Sequence, residues 1–333
     1  MLLDGHNPAA IAEAAAALAA GELVAFPTET VYGLGARADD DVAVARIYAA
    51  KGRPVGHPLI VHVADAAAAR SFCATWPDLA QRLVAAFWPG PLTVIVPRAD
   101  GMASSCAGGQ QTIGLRCPAH PVAQALLRAA AELGVPGVAA PSANRFGRLS
   151  PTQAVHVVAE LGSDLLVLDG GDCEVGIEST IVDCSRGRAV LLRPGTLTRS
   201  AIEAALDRAL EDRDAAAPRA SGTLDTHYAP HARVRLMKTD MLHAALKLLA
   251  SAPPDPSSAA PLTLAVYSRL VPPAGTVAIQ QAMPAHADQV AHELFAVLRR
   301  FDDLGAQLIW VEEPPVTADW DGVRDRLTRA SAT

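Results

Sequence analysis

Residues 21–63 read GELVAFPTETVYGLGARADDDVAVARIYAAKGRPVGHPLIVHV. An apolar strand, Leu23 to Phe26, runs into Pro27-Thr28-Glu29-Thr30 and a turn expected at Gly33 and Gly35. A helix capped within Asp39 to Asp41 follows and ends at Gly52, and Leu59 to Val63 reads as a second apolar strand. Polar clusters thus stand at the ends of apolar elements, and in α/β architectures such ends open on the crevice where ligands bind. Lys51 is the only lysine before Lys238 in a chain that otherwise uses arginine. It stands beside Arg53 with a glycine between them, read as allowing close backbone approach. Two meanings are open: an anion clamp for phosphate, or a solvated helix end whose cations complement the helix dipole.

Outward from this stretch, Asn7-Pro8 caps a helix ending near Gly21. Beyond it, helices are expected at 78–87, 121–133, 152–161 (capped by Thr152) and 200–210, and strands at 92–96, 112–116, 137–140, 165–168, 178–183 and 189–192. Several consecutive strands have connections too short for a crossover helix, so the sheet should be mixed rather than all-parallel. Residues 211–232 read as a linker by composition. After it, strands at 233–237, 262–267, 276–280 and 307–312 alternate with helices at 239–250, 286–303 and 322–330, the order of a small parallel-sheet, Rossmann-like domain. SAPPDPSSAAP at 251–261 reads as a disordered insertion in it. The expected domains are 1–210, a linker or lid at 211–232, and 233–333.

With 333 residues, half of them hydrophobic, the chain can build two cores. Its net charge of -7 argues against wrapping nucleic acid by bulk electrostatics. Residues 51–148 nevertheless carry nine Lys and Arg against four Asp and Glu, an excess suited to a small anionic ligand. Five cysteines without a C-x-x-C pair indicate neither a disulfide framework nor a zinc site, and point to a reducing cytoplasm. No signal peptide or membrane span is expected. P-loop, G-x-S-x-G and H-E-x-x-H motifs are missing from the sequence. What remains is scattered cations, hydroxyls and amides, the equipment for positioning and charge stabilisation in nucleotidyl transfer.

PTETVYGLG with KGRP and PLIVHV resembles the Sua5/YrdC/YciO family, and the resemblance continues through TIGLRCPAHP (112–121), APSANRFGRLSPT (140–152), GIESTIVD (176–183) and LLRPG (191–195). SGTLDTHYAPHA (221–232) is similar to the interdomain segment of the long, two-domain Sua5 form. The resemblance implies a YrdC-like domain, its twisted mixed sheet flanked by helices around a basic concave groove, plus a smaller C-terminal domain. It also implies synthesis of L-threonylcarbamoyladenylate from L-threonine, bicarbonate or CO2 and ATP, for the N6-threonylcarbamoyl modification of adenosine 37 in tRNA. The threonine amine attacks CO2 or bicarbonate, and the resulting carboxylate attacks the α-phosphorus of ATP, releasing pyrophosphate.

Residue by residue, the resemblance gives Lys51, Arg53 and Arg193 to the triphosphate, with Lys51 and Arg53 as the catalytic pair. His57, Thr112, Ala140, Ser142, Asn144 and Ser150 map to nucleotide contacts, and Tyr228 to a lid residue that reaches the nucleotide. Thr30, His62, Arg116 and Ser179 are implied to hold L-threonine, with Arg116 taking the carboxylate. Thr30 and Ser179 would read the substrate hydroxyl or amine, and the contact with its methyl would discriminate against serine by only about 1–3 kcal/mol. Mg2+ is implied with ATP, and downstream tRNA threonylcarbamoyl transferase machinery as the consumer of the product; direct contact with tRNA is not required. Residue by residue there are plainer readings: turn chemistry for Ser142 and Asn144, a core or edge histidine for His62, a tyrosine packed on a domain surface for Tyr228. Glu29 and Glu178 are as readily structural as catalytic, and no general base is named. His57, Phe146 and Thr226 depart from the family pattern.

Two competing functions are a non-catalytic RNA- or tRNA-binding module and a carbamoyl-adenylate former like the related domain of hydrogenase maturation factors. The first wants aromatics interleaved with basic residues, yet aromatics are 4% of the chain. The second wants zinc-finger cysteine pairs that this sequence lacks.

Overall fold

The computed structural model describes residues 1–224, 227–251, 263–270 and 278–332. Thr226, the insertion at 252–261, residue 262 and residues 276–277 of an expected strand lie outside them. The chain divides into two compact units, Met1–Phe146 with Ser150–Thr223, and Gly147–Leu149 with Leu224–Thr333.

The strands of the first unit are β1 (Leu2–Asp4), β2 (Val24–Phe26), β3 (Gly33–Arg37), β4 (Ile60–His62), β5 (Leu92–Pro97), β6 (Thr112–Arg116), β7 (Val138–Ala139), β8 (Leu166–Asp169), β9 (Thr180–Asp183), β10 (Val190–Arg193) and β11 (Glu211–Asp212). They form one mixed sheet in the order β1-β8-β2-β3-β7-β4-β6-β5-β9-β10-β11. β4 runs parallel to β6, whereas β5 and β7 run antiparallel to their neighbours β6 and β4.

Alternation of side chains along each strand sorts the two faces. Ala25, Leu34, Val61, Val94, Ile113, Leu115, Ala139 and Val182 point into the large core, which takes in Val44, Ile47, Leu83 and Ile202 from the covering helices. On the opposite face, helices Pro8–Ala19 and Pro121–Glu132 cover one end through a second core holding Val24, Phe26, Val138 and Leu168. The other end carries Ile95, Ile181, Val190 and Leu192, with Ala217 and Ala220 packed on them. Between these patches, β4, β6 and β5 present Ile60, His62, Thr112, Gly114, Arg116 and Thr93 on the same face.

Gly33 and Gly35 are not in a turn, as expected from sequence, but in β3, paired with β2 and β7 in the middle of the sheet. Their lack of a side chain serves packing. A Cβ on Gly35 would lie 2.8 Å from Val138 Cγ1 and 2.9 Å from Phe26 Cε1. Gly35→Val is therefore expected to destabilise the chain by about 1–3 kcal/mol through overpacking; an unchanged denaturation midpoint in urea would contradict this packing account. The helix expected from Thr152 starts instead at Ala154, with Gln153 at its N-cap.

The second unit follows the expected order. β12 (Arg233–Met237), β13 (Leu264–Ser268), β14 (Ile279–Ala282) and β15 (Leu308–Glu312) form a parallel sheet in the order β12-β15-β13-β14. Helices Thr239–Ser251, Ala287–Asp303 and Asp321–Ala330 complete it.

Candidate active site

Helix Asp41–Lys51 starts on Asp40, whose carboxylate accepts hydrogen bonds from the N–H groups of Val42 and Ala43. It stops at Gly52, which takes the left-handed conformation, φ 60°, with its α-hydrogens facing open space. The expectation of close backbone approach at Gly52 is thus corrected: glycine terminates the helix because the left-handed C-terminal turn costs it nothing sterically. The ending carries Lys51 inward rather than out. Its side chain is 3% exposed, and Nζ donates to the carbonyl oxygens of Ser142 and Asn144 in the S-A-N turn. The reading of a solvated helix end falls here. Burial first, then the neighbouring Arg53, hold the ammonium well below the usual lysine range.

Arg53 is 7% exposed; its Nη2 donates to Pro58 O at 3.0 Å and to Ser221 Oγ at 3.4 Å, and its guanidinium lies 5.6 Å from the centre of the Phe146 ring. His57 meets the same ring edge-on at 5.4 Å, and burial with Arg53 and Arg219 holds its pKa down. Phe146, a departure from the family pattern, is thus the wall on which Arg53 and His57 gather.

Arg193 sits at the end of β10. The pairing of β10 with β9 slips by one residue between Leu191 and Arg193, whereas strict alternation would send Arg193 to the face of Leu191. Its Nη2 donates to Ser179 O at 2.8 Å and Ser179 Oγ at 3.2 Å, and its Nη1 to Ser221 O at 3.0 Å. Both arginines expected at the phosphates therefore converge on Ser221. Ser221 is held in place by a clasp at Arg219, whose N–H donates to Gln110 Oε1 at 2.7 Å and whose carbonyl accepts from Gln110 Nε2 at 3.1 Å. Pro58, Ile60, Thr93, Thr112, Gly114 and Ser221 line one pocket.

Three of the four expected L-threonine residues, His62, Arg116 and Ser179, fall in a row across the open face, and Thr30 is not part of it. His62 in β4 is in register with Arg116 in β6, and the β5–β6 register places Thr93 next along. Thr93 Oγ1 lies 2.8 Å from Ser179 Oγ. Burial, then Arg116, push the His62 imidazole down to about 3, so the ring is neutral near neutrality. Arg116 is 4% exposed, with Nη2 at 2.9 Å from Glu29 Oε1, close enough for an ion pair but outside hydrogen-bond geometry. Among the described residues, Arg116 Nε and Nη2, His62 Nδ1 and Glu29 Oε1 have no hydrogen-bond partner. Nε and Nη2 form the guanidinium edge that grips a carboxylate side-on.

The remaining expected residues lie as follows. Thr30 is fully buried, its hydroxyl 2.9 Å from that of Thr28. Ser150 donates to Glu178, and the Ala140 N–H donates to Ile60 O at 3.0 Å. Asn144 Nδ2 donates to Arg145 O at 2.7 Å. Thr112 stands at the opposite end of β6 from Arg116, on the same face. Tyr228 belongs to the second unit: it is 1% exposed, its backbone is left-handed at φ 62°, its ring stacks on Phe295 at 5.4 Å, and Arg326 lies 5.3 Å from the ring centre. Sequence reasoning missed Thr93, Gly114, Gln110 and Ser221. Only the alternation of β5 and β6 could have pointed to the first two.

A family described as "Telomere recombination" (Sua5_yciO_yrdC) matches residues 16–195, and the "Threonylcarbamoyl-AMP synthase, C-terminal domain" family matches 197–332. Threonylcarbamoyl-AMP synthase of Bacillus subtilis (strain 168) is 46% identical over 233 residues, 68% of this chain and 66% of that protein. The enzyme of the same name from Pyrococcus abyssi is 42% identical over 220 residues, 64% of each chain. These matches span slightly less than two thirds of both relatives. The crystal structure of P. abyssi Sua5 complexed with L-threonine superposes with a TM-score of 0.86 at 33% identity, over 98% of this chain and 95% of that one. A variant of that protein with a neighbouring histidine and tyrosine both changed to alanine gives 0.87 at 32% identity.

Proposed function

Because the chain belongs to the Sua5/YrdC/YciO family and carries the Sua5 C-terminal domain, we propose that it is an enzyme that makes L-threonylcarbamoyladenylate from L-threonine, bicarbonate or CO2 and ATP, releasing pyrophosphate, for the N6-threonylcarbamoyl modification of tRNA. The observation that carries the proposal is the row His62–Arg116–Thr93–Ser179, with its cluster of buried donor and acceptor atoms and the Arg193 cation hydrogen-bonded to Ser179 at its end. L-threonine bound to a relative of the same fold supports it.

In this reading Arg116 grips the threonine carboxylate side-on, held by Glu29, whose Oε2 also accepts the Ala119 N–H at 3.1 Å. Neutral His62 offers a lone pair or an N–H without adding charge. Thr30 and Ser179 complete the amino-acid contacts. Lys51 gives two of its three hydrogens to carbonyls, which leaves the third for phosphate. Arg53 and Arg193 turn from Ser221 to the phosphates, and their combined charge makes the groove basic where charge develops on pyrophosphate. His57, Thr112, Ala140, Ser142, Asn144 and Ser150 frame the nucleotide. We read 1–210 as the catalytic domain, 211–232 as linker and lid, and 233–333 as the C-terminal domain. Tyr228 is the proposed lid residue that reaches the nucleotide. This chain's only His-Tyr pair is His227-Tyr228, and a His-Tyr pair is what the P. abyssi variant removes.

Among the described residues no group of three or more His, Cys, Asp or Glu is placed to hold a metal ion. In our reading Mg2+ arrives on the phosphates of ATP, and no step is assigned to it. The product is a labile mixed anhydride, consumed by the tRNA threonylcarbamoyl transferase machinery. No helix among the described residues is long and apolar enough to cross a membrane, and the five cysteines are free thiols, which fits a cytoplasmic setting. Calorimetric titration with L-threonine tests the row: saturable binding with serine weaker by about tenfold is expected, and failure to bind L-threonine would sink the proposal.

A further inference from the structure

Thr93 lies in β5 between Leu92 and Val94, both part of the large core, so its own side chain takes the open face. It is fully buried, and Ser179 is 1% exposed. The two hydroxyl oxygens lie 2.8 Å apart, and Ser179 Oγ also accepts from Arg193 Nη2 at 3.2 Å. Each hydroxyl has one hydrogen to give and two lone pairs to fill. If Thr93 donates, Ser179 has accepted two hydrogen bonds and its own hydrogen is left over. If Ser179 donates, the hydrogen of Thr93 is left over. Either way, among the described residues the pair holds one hydroxyl hydrogen with no protein acceptor, in a site where an unmade hydrogen bond is costly.

We propose that Thr93 is a positioning residue of the amino-acid subsite, fixing the Ser179 hydroxyl so that the pair offers one O–H donor to an acceptor oxygen of the substrate. The group facing Ser179 is then an oxygen of bound L-threonine, its β-hydroxyl or a carboxylate, and not its amine. This rests on reading the row as the L-threonine site, and it narrows the hydroxyl-or-amine role that the sequence leaves to Ser179. Arg193 joins the two subsites, because the cation expected at the phosphates also fills a lone pair of the serine that faces the amino acid.

The test compares Thr93→Val, which keeps the shape and loses the hydroxyl, with Thr93→Ser, which keeps the hydroxyl. Thr93→Val is expected to weaken L-threonine binding and raise its KM about tenfold, with the KM for ATP and the kcat changed by no more than about twofold. Thr93→Ser should restore L-threonine affinity to within about twofold. L-2-aminobutyrate, which lacks the β-hydroxyl, identifies the oxygen. A Thr93→Val penalty that vanishes with this ligand assigns the β-hydroxyl, and one that persists assigns a carboxylate; both support the proposal. Unchanged L-threonine affinity in Thr93→Val, equal losses in both variants, or a parallel loss for ATP would overturn it. Wild-type protein that does not bind L-threonine would overturn the reading beneath it as well.

Discussion

Arg116→Ala should raise the KM for L-threonine by at least about 100-fold, because a side-on guanidinium–carboxylate pair in a buried site supplies about 3 kcal/mol or more. Stability should fall with it. The Arg116 and Glu29 side chains are 5% and 7% exposed, and removing one member of a buried pair typically costs about 3–5 kcal/mol by stranding the other charge. The two effects separate in the double variant Glu29→Gln with Arg116→Met, which carries neither charge. It should recover most of the thermal stability and still fail to hold L-threonine. Threonine affinity that returned together with stability would show that Arg116 only satisfies Glu29.

The second large effect is at Lys51. Lys51→Met keeps the length of the side chain without the ammonium and should slow pyrophosphate release by about 100- to 1000-fold, the usual loss when a preorganised donor to developing charge is removed. The pH dependence carries its own signature. Burial and Arg53 lower the folded-state pKa, while the unfolded chain keeps the ordinary lysine value. Between the two values the folded chain binds fewer protons than the unfolded one. The stability linked to Lys51 is therefore fully present above the unfolded value and is lost as pH falls through the folded value. Phosphate against Nζ favours the charged form, so ATP binding in that window should take up a proton. Calorimetry in buffers of different ionisation enthalpy would register the uptake, and Lys51→Met should abolish it. Wild-type binding without proton uptake would contradict this account of Lys51.

Local rules sufficed wherever they and the tertiary structure agreed. Thr112–Arg116 alternates cleanly and forms β6 at those residues, and Arg233–Met237 does the same for β12. Gly33 and Gly35 mislead because a glycine that makes room for Phe26 and Val138 looks, in sequence, like one that makes a turn. Lys51 and Arg53 stand out in the sequence, but the carbonyls of Ser142 and Asn144 that bury Lys51 lie some ninety residues away, and Arg53 reaches as far as Ser221. Arg193 reaches Ser179 through a slip in strand register that no period-2 pattern reveals. Thr93 has no motif of its own, and only its two strand neighbours give it meaning. Tyr228 was legible as special, but its partners Phe295 and Arg326 lie in distant helices.

Pyrophosphate release from Mg-ATP by the purified protein, with L-threonine and bicarbonate each omitted in turn, tests the account most directly. It predicts release that requires both, and that collapses in Lys51→Met and Arg116→Ala. Release indifferent to L-threonine, or none under any combination, would contradict it and shift the weight to an RNA-binding module or another carboxylated substrate.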